Sequence, residues 1–173
     1  MSDTQVTWSG YQANSPLLSA TSVQSMPNWH PLVVHFPIVL LTASVGVDLI
    51  ALIKHQAQWH RFAYALLVAG LLSSSAAVIT GTEAALPYRS QPEVADLIQQ
   101  HEDFGSVVFI VFMATALGRL PLFLQRSGGW PLVMWIVVAV GGCVLLWWTS
   151  YYGGELVYVH GVGVTGVGVS PDL

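Results

Sequence analysis

The sequence predicts an all-α integral membrane protein, a four-transmembrane-helix antiparallel bundle with both termini on the non-cytoplasmic side. Composition is the first reason. Of 173 residues, 54% are hydrophobic and only 8% are charged, and the mean hydropathy is +0.62. Soluble domains carry about 25% charged residues. The second reason is four helical stretches, over 31–53, 62–81, 91–124 (its first part outside the bilayer) and 131–150. Each is long enough to cross a hydrocarbon core about 30 Å thick. The third reason is the placement of basic residues. Lys54, Arg61, Arg119 and Arg126 flank the two short connections, and only Arg89 lies on the other side. The positive-inside rule then puts the short loops in the cytoplasm and the termini outside, as expected in a bacterial inner membrane.

The same composition excludes several function classes. A net charge of −4 gives no basic surface for nucleic acid. The single cysteine, Cys143, excludes an internal disulfide, haem attachment through C-x-x-C-H and an all-cysteine cluster. No nucleophile, base and orienting acid can be grouped on one side, so a stand-alone hydrolase is not expected. Internal inverted repeats and broken mid-membrane helices, the marks of a secondary transporter, are not visible. Residues 1–28 contain neither lysine nor arginine and no continuous apolar core, so no cleavable leader is expected there.

Taken in order, 1–28 is a polar, turn-rich extension, 29–152 the membrane domain and 153–173 a glycine-rich tail. The first span opens on His30-Pro31-Leu32-Val33-Val34-His35-Phe36-Pro37. Prolines belong in a helix's first turn, where the missing N–H costs nothing. This reading puts His30 at the cap and His35 one turn deeper, with Asp48 near the far end. A short basic loop carries Lys54, His55, Trp59, His60 and Arg61, read as anchors near lipid head groups. The second span is rich in small residues (Ala69, Gly70, Ser73, Ser74, Ser75, Ala76, Ala77), which allow close helix approach. The connection over 82–103 is acidic. Within it, Ser90-Gln91-Pro92-Glu93 reads as a capping box that starts the third helix before the membrane. His101 follows on the apolar stripe of that helix, and Arg119 lies five turns further along the same face, roughly 27 Å away. The fourth span begins at Trp130 and ends among Trp147, Trp148, Tyr151 and Tyr152, which fits aromatic belts at both interfaces.

Histidines at membrane depth need partners, and they mark functional sites by default. His35 and His101, from different helices near one face, could ligate a b-type haem iron from both sides. Arg89 could neutralise its propionates through bidentate hydrogen bonds; the alternative is a solvated loop arginine. His30 and His160 are alternative ligands. A zinc or copper site would need three or four donors from His30, His35, His101, Glu102 and His160. The reading without a metal is that each imidazole bonds a backbone carbonyl near the interface. Asp48 and Arg119, both deep toward the opposite side, are expected to pair, because a lone charge in lipid is costly. The pair could pin two helices in register or belong to a proton path.

The opening HPLVVHFPIVL, Asp48, His101 and the ending YYGGELVYVHGVGV resemble a bacterial transmembrane family, domain of unknown function 2231. The resemblance covers residues from about 28 to 165 and leaves out the polar extension. The matching positions are His30, His35, Asp48, His101, Gly154, Leu156, Val157, Tyr158, Gly161 and Gly163. It implies four membrane helices. Relatives joined to cytochrome c-like or sugar dehydrogenase-like domains imply a place in electron transfer. The expectation is therefore an accessory, non-catalytic membrane subunit of an electron-transfer complex, with haem b between His35 and His101. Its expected partners are membrane lipid, other subunits of the complex and a cytochrome c or dehydrogenase on the outer face. The alternative is a cofactor-free scaffold subunit.

Overall fold

The computed structural model describes residues 28–125 and 128–164, and the described residues are helical throughout apart from short turns. The elements are α1 (His30–Val33), α2 (His35–Lys54), α3 (Ala57–Ala85), a 3₁₀ turn (Leu86–Tyr88), α4 (Pro92–Gln125) and α5 (Trp130–Tyr158). Four helical segments are long and apolar enough to cross a membrane, with α1 and α2 together making the first. The break between α1 and α2 has a local cause. Pro37 lacks the N–H that would reach back to the carbonyl of Val33. The backbone nevertheless stays helical at Val34, at φ −63° and ψ −23°.

The first hairpin turns on His55. It takes the left-handed conformation, φ 52°, and its N–H bonds the carbonyl of Leu52 while Gln56 N–H reaches Ala51. That is a Schellman arrangement, with histidine in the position glycine usually fills. α4 begins at Pro92, as the sequence indicates, but the capping-box side-chain bonds are not formed among the described residues. The carbonyl of Gln91 instead accepts from Val94 and Ala95. α5 departs most from expectation. It runs through Gly153 and Gly154 to Tyr158, several residues into the segment read as a tail. Two helical glycines cost about 1 kcal/mol each relative to alanine. Leu156, buried against Val94, Ile98 and Ala85, supplies the packing that offsets this. The chain then turns back at Gly161 and Gly163, where Gly163 N–H donates to the Tyr88 hydroxyl at 2.9 Å. The glycine repeat beyond 164 and the extension before Asn28 lie outside the described residues.

The four spans form a ring in which α2 packs on α3 and α5, and α4 packs on the same two. α2 and α4 therefore sit on the diagonal of the bundle. Of the small residues on α3, Gly70, Ser74 and Ala77 face inward, while Ala69 and Ala76 face outward. Phe112, Leu41, Leu67 and Ile136 fill the core, and the outer surface is a coat of exposed Leu, Ile, Val and Trp. That is the pattern of a bundle whose solvent is lipid.

Truncating the core should therefore cost far more than truncating the coat. Phe112 is fully buried and Ile110, two residues away, is 63% exposed. Phe112→Ala is expected to lose about 3 kcal/mol through cavity formation. Ile110→Ala should be close to neutral. Thermal unfolding of the two variants in the same detergent measures the difference.

Candidate functional site

Two polar clusters brace the diagonal pair, one at each end of the bundle. At the histidine end, His30 from the first span lies beside His101 of α4, with ring centroids 6.3 Å apart and planes at 83°. Each ring is held through Nδ1. His101 Nδ1 contacts the carbonyl oxygen of Thr149 at 3.1 Å. A carbonyl only accepts, so the proton is on His101 Nδ1. His30 Nδ1 contacts Thr80 Oγ1 at 3.2 Å. Thr80 Oγ1 also lies within reach of the carbonyls of Ala76 and Ala77 and has one hydrogen for either of them or for His30 Nδ1, so this contact fixes the position of the His30 ring and not its tautomer. His101 Nε2, on the ring whose Nδ1 carries the proton, therefore keeps its lone pair. The Nε2 of neither ring has a bonding partner among the described residues, and no buried side-chain nitrogen is left unsatisfied, so both reach accessible space.

Close backbone approach fixes where these rings lie. A Cβ at Gly81 would come within 2.8 Å of His30 Cε1, and one at Gly153 within 3.0 Å of His101 Cε1. A side chain at Gly81 would push the His30 ring aside, and one at Gly153 would press the His101 ring by a few tenths of an ångström. Aromatic rings cluster next to them, with Phe104 stacked on Tyr152 at 5.6 Å.

His35 is not in this cluster. It is exposed, and its Nδ1 donates back to the carbonyl of Pro31 in α1 at 2.6 Å. The imidazole next to His101 is His30. Arg89 is also engaged elsewhere: its Nη2 donates to both carboxylate oxygens of Glu102, at 2.7 and 2.9 Å. His160 is half-buried. No three histidine, cysteine or acidic side chains converge as a metal-ligand group among the described residues, so the site is a pair and not a three- or four-donor cage.

At the opposite, arginine end, Arg119 grips Asp48 with two bonds, Nη1 to Oδ2 at 2.5 Å and Nη2 to Oδ1 at 3.0 Å. Both residues are almost fully buried. His60 joins them, with Nδ1 2.7 Å from Asp48 Oδ1. Its carbonyl also accepts from Arg119 Nη2 at 3.4 Å. His60 is thus part of the ionic cluster and not a lipid anchor. Tyr64 lies beneath the guanidinium, its ring centre 5.8 Å from Arg119 Cζ, and donates its hydroxyl hydrogen to the carbonyl of Ala116.

One spacing signals this construction. Eighteen residues separate His30 from Asp48, and eighteen separate His101 from Arg119. Eighteen residues are five whole turns. The first and third spans run parallel, so pairing at one end sets the level of pairing at the other. His60, Thr80 and Thr149 carry no such signal, because their roles depend on how the other helices fold back.

Breaking the ionic cluster from one side should be costly. Asp48→Asn strands a buried guanidinium and is expected to lose roughly 3–5 kcal/mol. Arg119→Gln added to it should recover part of that loss. Yield and thermal stability of the two singles and the double variant measure the coupling. A double variant worse than the sum of the singles would rule out partnership.

Comparison with known proteins gives the chain a family. Searches among curated proteins and among solved structures find no match. Residues 27–166, from just before the His30 cluster to just past the last described turn, match the family described as "Predicted membrane protein (DUF2231)". The match takes in both polar clusters and all four spans, and the chain belongs to this family of predicted membrane proteins.

Proposed function

We propose that the chain is an accessory membrane subunit of an electron-transfer complex, and that its histidine end holds haem b through His30 and His101. The observation that supports this reading is the way the two rings are held. Each imidazole is engaged within the bundle through Nδ1, His101 by donating to the carbonyl of Thr149 and His30 at the Thr80 hydroxyl, and neither Nε2 has a bonding partner among the described residues. Ligating histidines are usually oriented in this way, by donating the other ring N–H to a carbonyl or hydroxyl. Axial ligation needs only two protein donors, which is what this end offers; a structural zinc site needs four. A bound haem would supply one-electron chemistry. The chain's own residues supply the rest. Thr80 and Thr149 hold the two rings, and Gly81 and Gly153 leave room for them. Arg89, tied to Glu102, fixes the loop beside His101 and does not serve as a free cation.

The test is a visible spectrum of membranes and of purified protein, oxidised and then reduced with dithionite. Wild type should show a reduced b-type band. His30→Ala and His101→Ala should each abolish it in folded, membrane-inserted protein, while His35→Ala and His60→Ala retain it. A band that survives His30→Ala but not His35→Ala would reassign the ligand. A featureless wild-type spectrum would replace this reading with a cofactor-free scaffold subunit.

The proposal includes an orientation, with the histidine end outside the cytoplasm in a bacterial inner membrane. Its support is the charge asymmetry of the loops. A periplasm-dependent reporter fused after Leu173 should be active, and a cytoplasm-dependent one silent. The opposite pattern would invert the assignment.

A further inference from the structure

The arginine end holds a cavity of about 420 Å³ between the start of α3, the end of α4 and the start of α5. Its polar wall is His60, Arg61, Arg119 and Gln58, and its apolar wall includes Phe123 and Leu132. The donors are held in place before any ligand arrives. Asp48 accepts from Arg119 through Nη1 and Nη2 and contacts His60 Nδ1, which fixes the planes of both side chains. Arg119 and His60 both line this space, and Arg119 Nε has no bonding partner among the described residues. Arg61 lies over the Phe123 ring, 4.8 Å from its centre, and forms no salt bridge to an acid among the described residues.

Charge decides what such a wall can hold. Asp48 is the one acid between Asp3 and Glu83, and the stretch from Glu102-Asp103 to Glu155 has none. Asp48 is already shared by Arg119 and His60. The end therefore has an excess of positive charge around a pocket with oriented N–H donors, a setting that suits a phosphate. The apolar wall continues into the lipid-facing surface of α4 and α5, where Leu124 and Val133 are exposed. A ligand with an anionic head and a hydrocarbon tail satisfies both walls.

We propose that this cavity binds the phosphate headgroup of an anionic membrane lipid, with Arg61 as the principal cation and Arg119 as the oriented donor. The site is independent of whatever the histidine end binds. Phosphatidylglycerol is the natural probe, because its headgroup keeps one net negative charge, whereas phosphatidylcholine balances its phosphate with a fixed cation.

Native mass spectrometry of the full chain in detergent, titrated with dioctanoyl phosphatidylglycerol, tests the site. The first equivalent should bind at least about tenfold more tightly than dioctanoyl phosphatidylcholine, since charge-assisted bonds are the strong ones. Arg61→Gln should remove about tenfold of that affinity and Arg61→Lys should restore part of it. Arg61 is exposed, so these variants keep the fold. Arg89→Gln, at the other end, should leave binding unchanged. Equal binding of the two lipids, or an Arg61→Gln variant that binds phosphatidylglycerol like wild type, overturns the proposal. Glycerol 3-phosphate that competes at the concentration of the lipid overturns the lipid as the source and assigns the site to a soluble phosphate.

Discussion

A carboxylate and a guanidinium in a lipid-solvated bundle have few places to go. Left alone, either would be costly at membrane depth. Asp48 and Arg119 meet with two hydrogen bonds across the diagonal of the bundle, where α2 and α4 otherwise pack on α3 and α5 and not on each other. A buried ion pair is weak as a source of net stability, because desolvation cancels much of its attraction. Its effect here is on register. Two parallel spans pinned at one residue each cannot slide past one another by a turn without stranding a charge. The eighteen-residue spacing carries that register to the other end, where it sets His30 level with His101.

This explains which parts of the site were legible from the sequence. Charged residues inside apolar runs are so few that Asp48 and Arg119 could be paired by cost alone. The ring beside His101 was harder, because two histidines stand at the start of the first span. The deeper one, His35, is the intuitive choice. Helical geometry argues otherwise. Five residues rotate a side chain by about 140° relative to its starting face, so His30 and His35 cannot both point inward. Asp48 shares a face with His30, and that face is the one turned to α4. His35 is left on the exposed side, bonded to the carbonyl of Pro31.

Other features lay beyond local pattern. The four spans and the start of α4 follow from periodicity, apolar length and the position of Pro92. The extension of α5 through Gly153-Gly154 does not, because helix propensity opposes it and only Leu156, packed against Val94 and Ile98, explains it. His60 joins Asp48 because His55 adopts a left-handed turn with no glycine to announce it. Thr149 serves His101 through its backbone carbonyl, which any residue carries. In each case the missing information is tertiary: which helix returns to which face.

The two clusters are chemically unlike and lie five helical turns apart, roughly 27 Å. Between them the diagonal is filled by Leu41, Leu67 and Phe112, with the hydroxyls of Ser44 and Thr115 satisfied by nearby carbonyls. No chain of titratable groups joins the ends among the described residues, so protonation at His60 has no side-chain route to His101. The side chains of the arginine end therefore take no part in proton exchange at the histidine end. The physical link that remains is mechanical. Loosening the Asp48–Arg119 clamp would free α2 to slip against α4, and the histidine pair would lose its alignment before either imidazole changed its chemistry.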